Sequence, residues 1–176
     1  MTLKSVYITK EAEEALKNHV FSNKNLEVGG LFVGFRCTII DQSDKINKEQ
    51  ILFITKTIPG DCISTRSHVI IKSTTYDLAW SEIDKSKDLN LIVVGWYHTH
   101  PDFGIFLSST DKMNMKKNNP KPYQIAVVID GIRKQRGTFC WKNEDCRELI
   151  NIPYKILKKD NYQDYIRVNK NEEMLI

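Results

Sequence analysis

Two of the four histidines in this 176-residue chain stand two positions apart, in His98-Thr99-His100-Pro101, directly after the apolar run of residues 91–97. In an extended segment residues i and i+2 project to the same side, so two imidazoles converge where the backbone leaves a sheet. Pro101 keeps His100 extended and stops the hydrogen-bond ladder there. The run LIVVGWY behind them forms the rigid, dry support that a ligand set needs to hold its geometry. Two histidines and one carboxylate make a zinc-binding set that leaves a fourth position open for water. Asp102 and Asp111 compete for the third place. Asp102 follows Pro101 directly and would need a tight reversal, so Asp111, in Ser108-Ser109-Thr110-Asp111, is preferred. S-x-x-D ahead of a helix also resembles a capping box, with Asp favoured in the first turn. The two readings are compatible, because a helix start also fixes a carboxylate in place.

H-x-H alone recurs in several kinds of metal hydrolase. An amidohydrolase barrel needs roughly 250 residues, more than this chain offers. Phosphoesterase centres hold two metals and need more Asp, Asn and His ligands than are found here. H-E-x-x-H is absent, which removes the common zincin signature. The nucleobase deaminase pattern, H-x-E followed by P-C-x-x-C, is absent too.

The elements that must position these side chains follow from the hydrophobic pattern. Thr9 is placed to cap a helix over residues 10–20, where Ala12, Ala15, Leu16 and Val20 fall at helical spacing. Residues 28–35, VGGLFVGF, suit a buried strand that another backbone approaches closely. Residues 50–58 read as a strand ended by Pro59-Gly60, and residues 64–71 as irregular chain leading to a short extended piece. A helix is expected over 74–87, with Leu78, Ala79 and Ile83 on one face. Residues 91–97 read as the central strand of a sheet. A polar helix over 109–119 and strands over 123–129 and 137–142 follow, with turn signals at Asp130-Gly131 and Gly137. The order is that of an α/β or α+β sandwich. Without repeat or linker, one domain is expected over residues 1–152. Residues 153–176 form a C-terminal tail, partly packed on the domain through Tyr154, Ile156, Leu157, Tyr162 and Ile166.

Hydrophobic residues at 41% and charged residues at 27% are usual for a soluble globular domain. Residues 1–10 carry neither an extended apolar stretch nor a cleavage site, and the strongest apolar run is too short to span a bilayer. A cytoplasmic protein without a membrane partner is expected. Cys37, Cys62, Cys140 and Cys146 form no CxxC and read as buried or half-buried thiols in a reducing compartment. The net charge of +4 permits an acidic partner without demanding one. No interleaved aromatic and basic stripe supports nucleic-acid binding.

Taken together, Glu27-Val28-Gly29-Gly30, His98-Thr99-His100-Pro101 and, six residues later, Ser108-Ser109-Thr110-Asp111 resemble the motif of the JAMM (MPN-plus) metalloproteases. Gly95-Trp96-Tyr97 and Phe103-Gly104-Ile105-Phe106-Leu107 on either side resemble active members, and the similarity runs from Lys4 to about Trp141. The resemblance implies a curved, mostly antiparallel or mixed sheet flanked by helices, the cytidine-deaminase-like MPN/JAB fold. It also implies zinc-dependent hydrolysis of the isopeptide or peptide bond after the C-terminal glycine of a ubiquitin-like protein. In that reading His98, His100 and Asp111 bind Zn2+, Glu27 is the general base and Ser108 stabilises the oxyanion. Partners would be a ubiquitin-like protein or its conjugates, and E1- or E2-like proteins. The chain is compact like prokaryotic members, some of which stand beside ubiquitin-like conjugation systems, antiviral ones included. Others process sulfur-carrier proteins. A non-catalytic MPN scaffold is the alternative, although such scaffolds typically lose ligands and this chain has lost none. His19 reads as a surface or packing residue of its helix, and His68 as a neighbour of the substrate groove or a plain surface residue. Lys112, Lys116, Lys117 and Lys121 read as a solvated helix face or a steering patch.

Overall fold

The computed structural model describes residues 3–40, 48–86, 90–157 and 173–175. Strand β1 (Leu3–Ile8) leads into helix α1 (Lys10–Val20), and Thr9 caps that helix by accepting from the Ala12 N–H. Two long strands follow, β2 (Gly29–Ile40) and β3 (Lys48–Pro59), paired antiparallel. A small hairpin, β4 (Cys62–Ser64) with β5 (Val69–Ile71), precedes helix α2 (Ser73–Lys85). Strand β6 (Ile92–Thr99), helix α3 (Ser109–Asn118) and the hairpin β7 (Ile125–Asp130) with β8 (Gln135–Trp141) come next. Three short strands end the order: β9 (Leu149–Asn151), β10 (Tyr154–Ile156) and β11 (Glu173–Leu175). Tyr162 and Ile166, expected to pack, lie outside the described residues.

The main sheet runs β10-β1-β3-β2-β6-β7-β8-β9, with β11 added along the end of β2. It is mixed: β1–β3, β1–β10, β2–β11 and β6–β7 are parallel, while the other ladders are antiparallel. Its two ends are joined by Ile152-Pro153 alone, between β9 and β10, so the sheet must curl until its outer strands approach each other. Alternation along the strands divides the core. Leu31, Val33, Phe53, Trp96, Ala126 and Val128 face α2 and α3, whereas Phe32, Leu52, Ile54, Tyr97, Val127 and Ile129 face α1. The glycines of β2 admit the close approach expected of them. A Cβ at Gly30 would collide with the Ile58 carbonyl and the Tyr97 hydroxyl.

Several elements depart from the sequence reading. Residues 64–71, read as irregular chain leading to a short extended piece, contain that extended piece as β5, but it pairs with β4 as a hairpin that the reading lacked. Leu78 does not join Ala79 and Ile83. It stands 54% exposed beside a 53% exposed Trp80, and α2 packs instead through Thr75 and Ala79. Gly137 lies inside β8, not in a turn. On α1, Glu13 is buried where Ala15 is only half-buried. Arg136 donates to both Glu13 carboxylate oxygens at 2.9 and 3.1 Å, and the Tyr154 hydroxyl donates to Oε2 at 2.9 Å. These three residues come from α1, β8 and β10, so the cluster clasps the curled sheet where its ends meet.

Removing Glu13 leaves the half-buried Arg136 guanidinium and Tyr154 hydroxyl without their shared acceptor. Glu13→Ala is expected to cost about 2–3 kcal/mol in urea denaturation, while Leu78→Ala stays within about 0.5 kcal/mol of wild type.

Candidate metal centre

β6 ends between two neighbours. His98 lies opposite Gly29 of β2 and Val128 of β7. Beyond it the Thr99 N–H donates to the Val28 carbonyl and the His100 N–H to the Ile129 carbonyl, both at 2.9 Å. The imidazole of His98 is fully buried and stacks on Trp96, with centroids 4.7 Å apart and planes 13° apart. His100 is buried as well, against Phe106. Its Nδ1 lies 2.7 Å from the Gly104 carbonyl. A carbonyl only accepts, so Nδ1 carries the proton and Nε2 presents a lone pair.

Asp111 stands at the third position of α3 and is buried. Its Oδ2 accepts from the Ser108 N–H at 2.8 Å and from the Ser108 hydroxyl at 2.6 Å, and its own N–H donates to Ser108 Oγ at 3.1 Å. The capping box is therefore real, and it aims the carboxylate: the same Oδ2 lies 3.6 Å from His98 Nε2. Asp102 sits apart from the cluster, exposed and ion-paired with Arg133 at 2.8 Å.

Glu27 precedes β2, with its N–H bonded to the Thr65 carbonyl of the β4–β5 hairpin. The side chain is buried and places Oε1 3.9 Å from His100 Nε2. Burial, and then the charge of Asp111, push its carboxyl up to about 8. Burial pulls His98 down to about 4. Asp111 opposes that shift, and His100 and His68 add to it, so half-buried His68 is near enough to be felt by the cluster. His19 is a packing residue, with Nδ1 2.7 Å from the Tyr97 hydroxyl. Lys112, Lys116, Lys117 and Lys121 are all exposed.

Ligand atoms of His98, His100 and Asp111 all lie within 4.8 Å of one another. Two nitrogens about 2.0–2.1 Å from one tetrahedral ion stand roughly 3.3 Å apart, and the two Nε2 atoms here are 3.2 Å apart. His98 Nδ1 is buried without a partner among the described residues. If that atom carries the proton, two lone pairs face each other across the gap, and a cation relieves the repulsion. This set of two imidazoles and one carboxylate fits zinc. A cavity of about 280 Å³ opens beside His100, lined by Val20, Phe21, Leu26, Pro101 and Ile132 among others.

Sequence reasoning missed the second layer of the site. Asp130, fully buried, accepts at Oδ1 from the Ile132 and Arg133 N–H groups and at Oδ2 from the Gly104 N–H. Burial works to raise its carboxyl, yet these backbone donors, with Asp102, hold it below the usual range. The only signal was Asp130-Gly131, which read as a turn. Gly104, at φ +80°, adopts a left-handed conformation that disfavours other residues.

A family model described as JAB1/Mov34/MPN/PAD-1 ubiquitin protease matches residues 1–120. Among similar curated proteins, subunit 5 of the COP9 signalosome complex from Eremothecium gossypii is 28% identical over 137 residues, covering 73% of this chain and 30% of that protein. The ubiquitin carboxyl-terminal hydrolase RPN11 of Saccharomyces cerevisiae is 27% identical over 137 residues, covering 77% of this chain and 42% of its own. The chain thus spans well under half the length of these relatives. The solution structure of protein DSY2949 from Desulfitobacterium hafniense superposes with a TM-score of 0.56 at 16% identity, covering 88% of this chain and 94% of that one. That likeness supports the fold alone.

The raised Glu27 carboxyl has a measurable consequence in the metal-free protein. Between about pH 4.5 and 8 the folded state keeps a proton that the unfolded state releases, so Glu27 makes stability fall as pH rises. Glu27→Gln, which cannot ionise, is expected to gain stability relative to wild type from pH 5 to pH 8 in chelator-treated samples, read by urea midpoints.

Proposed function

Because the chain belongs to the JAB1/Mov34/MPN/PAD-1 ubiquitin protease family, we propose that it is a zinc-dependent isopeptidase or peptidase. Its scissile bond is the one after the C-terminal glycine of a ubiquitin-like protein, in a conjugate or a precursor. The observation that carries this reading is the buried cluster of His98, His100 and Asp111 with the Glu27 carboxyl 3.9 Å from His100 Nε2. A non-catalytic scaffold has no need of all four groups together. One relative is a ubiquitin carboxyl-terminal hydrolase, which supports the substrate class.

His98 Nε2, His100 Nε2 and Asp111 would hold the metal, and Glu27 stands next to them, with Oε1 3.9 Å from His100 Nε2. A bound zinc ion supplies Lewis acidity and lowers the pKa of a water to about 7. Glu27 Oε1 then takes the proton of the attacking water and delivers it to the leaving amine. A carboxyl lifted by burial is suited to this, since a base works best with a pKa near the working pH. Ser108 has two tasks. Its N–H alone can keep Asp111 Oδ2 in place, so its hydroxyl is able to turn from Asp111 to the oxyanion as charge develops there. Such a donor is worth about 3 kcal/mol when preorganised.

Metal analysis and cleavage of a ubiquitin-like fusion test the reading. Wild type should hold one zinc per chain, and Glu27→Gln should keep it while losing roughly 100- to 10,000-fold in rate. A wild type without zinc, or a Glu27→Gln that cleaves normally, sinks the mechanism. Ser108→Ala should lose about 1 kcal/mol of stability as a cap and on the order of 100-fold in kcat as an oxyanion donor. If its rate loss merely follows weakened zinc binding, the hydroxyl serves only Asp111.

A further inference from the structure

The turn between β7 and β8 and the loop after His100 are tied together more firmly than a turn requires. Asp130 divides its carboxylate between two tasks. Oδ1 accepts from Ile132 and Arg133 N–H groups at 3.1 and 2.9 Å, which suffices to hold an Asx-type turn. Oδ2 is not needed for that turn and accepts instead from the Gly104 N–H at 2.7 Å. Gly104 in turn offers its carbonyl to His100 Nδ1, also at 2.7 Å. Both polar ends of one residue are thus fixed, one by Asp130 and the other by an imidazole. Gly104 gains from this hold, because a glycine at φ +80° has more backbone freedom than any other residue and must be fixed by its partners. Arg133 adds a further tie, donating through Nε and Nη2 to the Asp102 side chain and carbonyl at 2.8 Å each. That tie is exposed, and exposed ion pairs contribute little. Asp130 is 0% exposed, and a carboxylate buried that deeply persists only where donors meet it.

We propose that Asp130 is a positioning residue for His100: by fixing the Gly104 N–H, across the Cα from the carbonyl that meets Nδ1, it holds the imidazole as the Nδ1–H tautomer with Nε2 bare. The inference rests on the metal-centre reading above for its purpose, but the tautomer itself is a property of the metal-free chain. Partners of this kind behind a liganding histidine typically change metal affinity by about 10- to 100-fold. Asp130 itself lies beyond residue 120, where the family match ends, while Gly104 and His100 lie within it.

Ring nitrogen shifts of His100 in the 15N-labelled, metal-free full chain read the tautomer directly. Wild type should show Nδ1–H alone, and any substantial Nε2–H population in wild type overturns the proposal before a variant is made. Asp130→Asn should mix the two tautomers and weaken zinc binding about 10- to 100-fold in competition with a chromophoric chelator. Arg133→Gln removes the exposed tie to Asp102 and the 3.7 Å ion pair with Asp130 Oδ2 but keeps every backbone donor to Asp130, and should leave both readouts unchanged. A lower melting temperature in Asp130→Asn with the tautomer and zinc affinity intact would reduce Asp130 to a turn residue. Should that variant not fold, Gly104→Ala strains the residue that links Asp130 to His100 and is held to the same two outcomes. A wild type that binds no zinc counts against the proposed function, while the tautomer comparison still decides the role of Asp130.

Discussion

Val28, Thr99, His100 and Ile129 meet in one short stretch of ladder. The Thr99 N–H bonds to Val28, the His100 N–H bonds to Ile129, and the Val28 N–H returns to the Thr99 hydroxyl at 2.9 Å. Register there decides what else is near. With Gly29 opposite His98, Glu27 arrives beside the imidazoles two residues before β2 begins. With Val128 opposite His98, Asp130 arrives two residues further on, level with His100. A slip of one residue in either ladder would turn the site's side chains to the opposite face of the sheet. The close packing of β2 on β6 and β3 at Gly30 guards against that, since no bulkier residue fits.

The fold buries several carboxylates and treats them differently. Glu13 meets an arginine and a tyrosine, Asp130 meets backbone donors, and Asp111 meets both donors of Ser108. Each is thereby compensated for the loss of water. Glu27 alone has no hydrogen bond to its carboxylate among the described residues, and its carboxyl titrates upward where that of Asp130 titrates downward. Leaving one buried acid without donors raises its affinity for a proton, while supplying donors to another holds it as an anion.

Much of this was legible in the linear sequence, for local reasons. His98 and His100 converge because extended chain repeats every two residues, and Asp111 is aimed by a cap whose pattern spans only four residues. The helices and long strands followed their apolar periodicity. What stayed hidden depends on partners far along the chain. Glu13 can be buried only because Arg136 and Tyr154 come to it, 123 and 141 residues away. Leu78 is exposed because α2 meets the sheet through the neighbouring Ala79, a choice of face that helical spacing leaves open. The second task of Asp130 could not be read from Asp130-Gly131, because a turn accounts fully for that pair. Glu27 was readable only through the assembled motif, since a glutamate before a strand is ordinarily solvated.

The two-residue link between β9 and β10 also has a meaning in time. β1 is made early, but its outer partner β10 pairs it across 148 positions, from Val6 to Tyr154. Contacts of such separation require a long loop to close first, and they form slowly. Strand β6, which carries His98 and leads into His100, has a shorter wait, because its sheet neighbour β2 pairs with it from Gly29 to His98 and is itself paired with β3, the next strand in the chain. During synthesis, therefore, the centre of the sheet can assemble as an open arc with Glu27, His98, His100 and Asp111 already emerged, and Asp130 joins with the next hairpin. Closure of the seam by Glu13, Arg136 and Tyr154 can follow only once β10 has emerged. The seam of the sheet thus waits on a strand made well after the histidines have emerged.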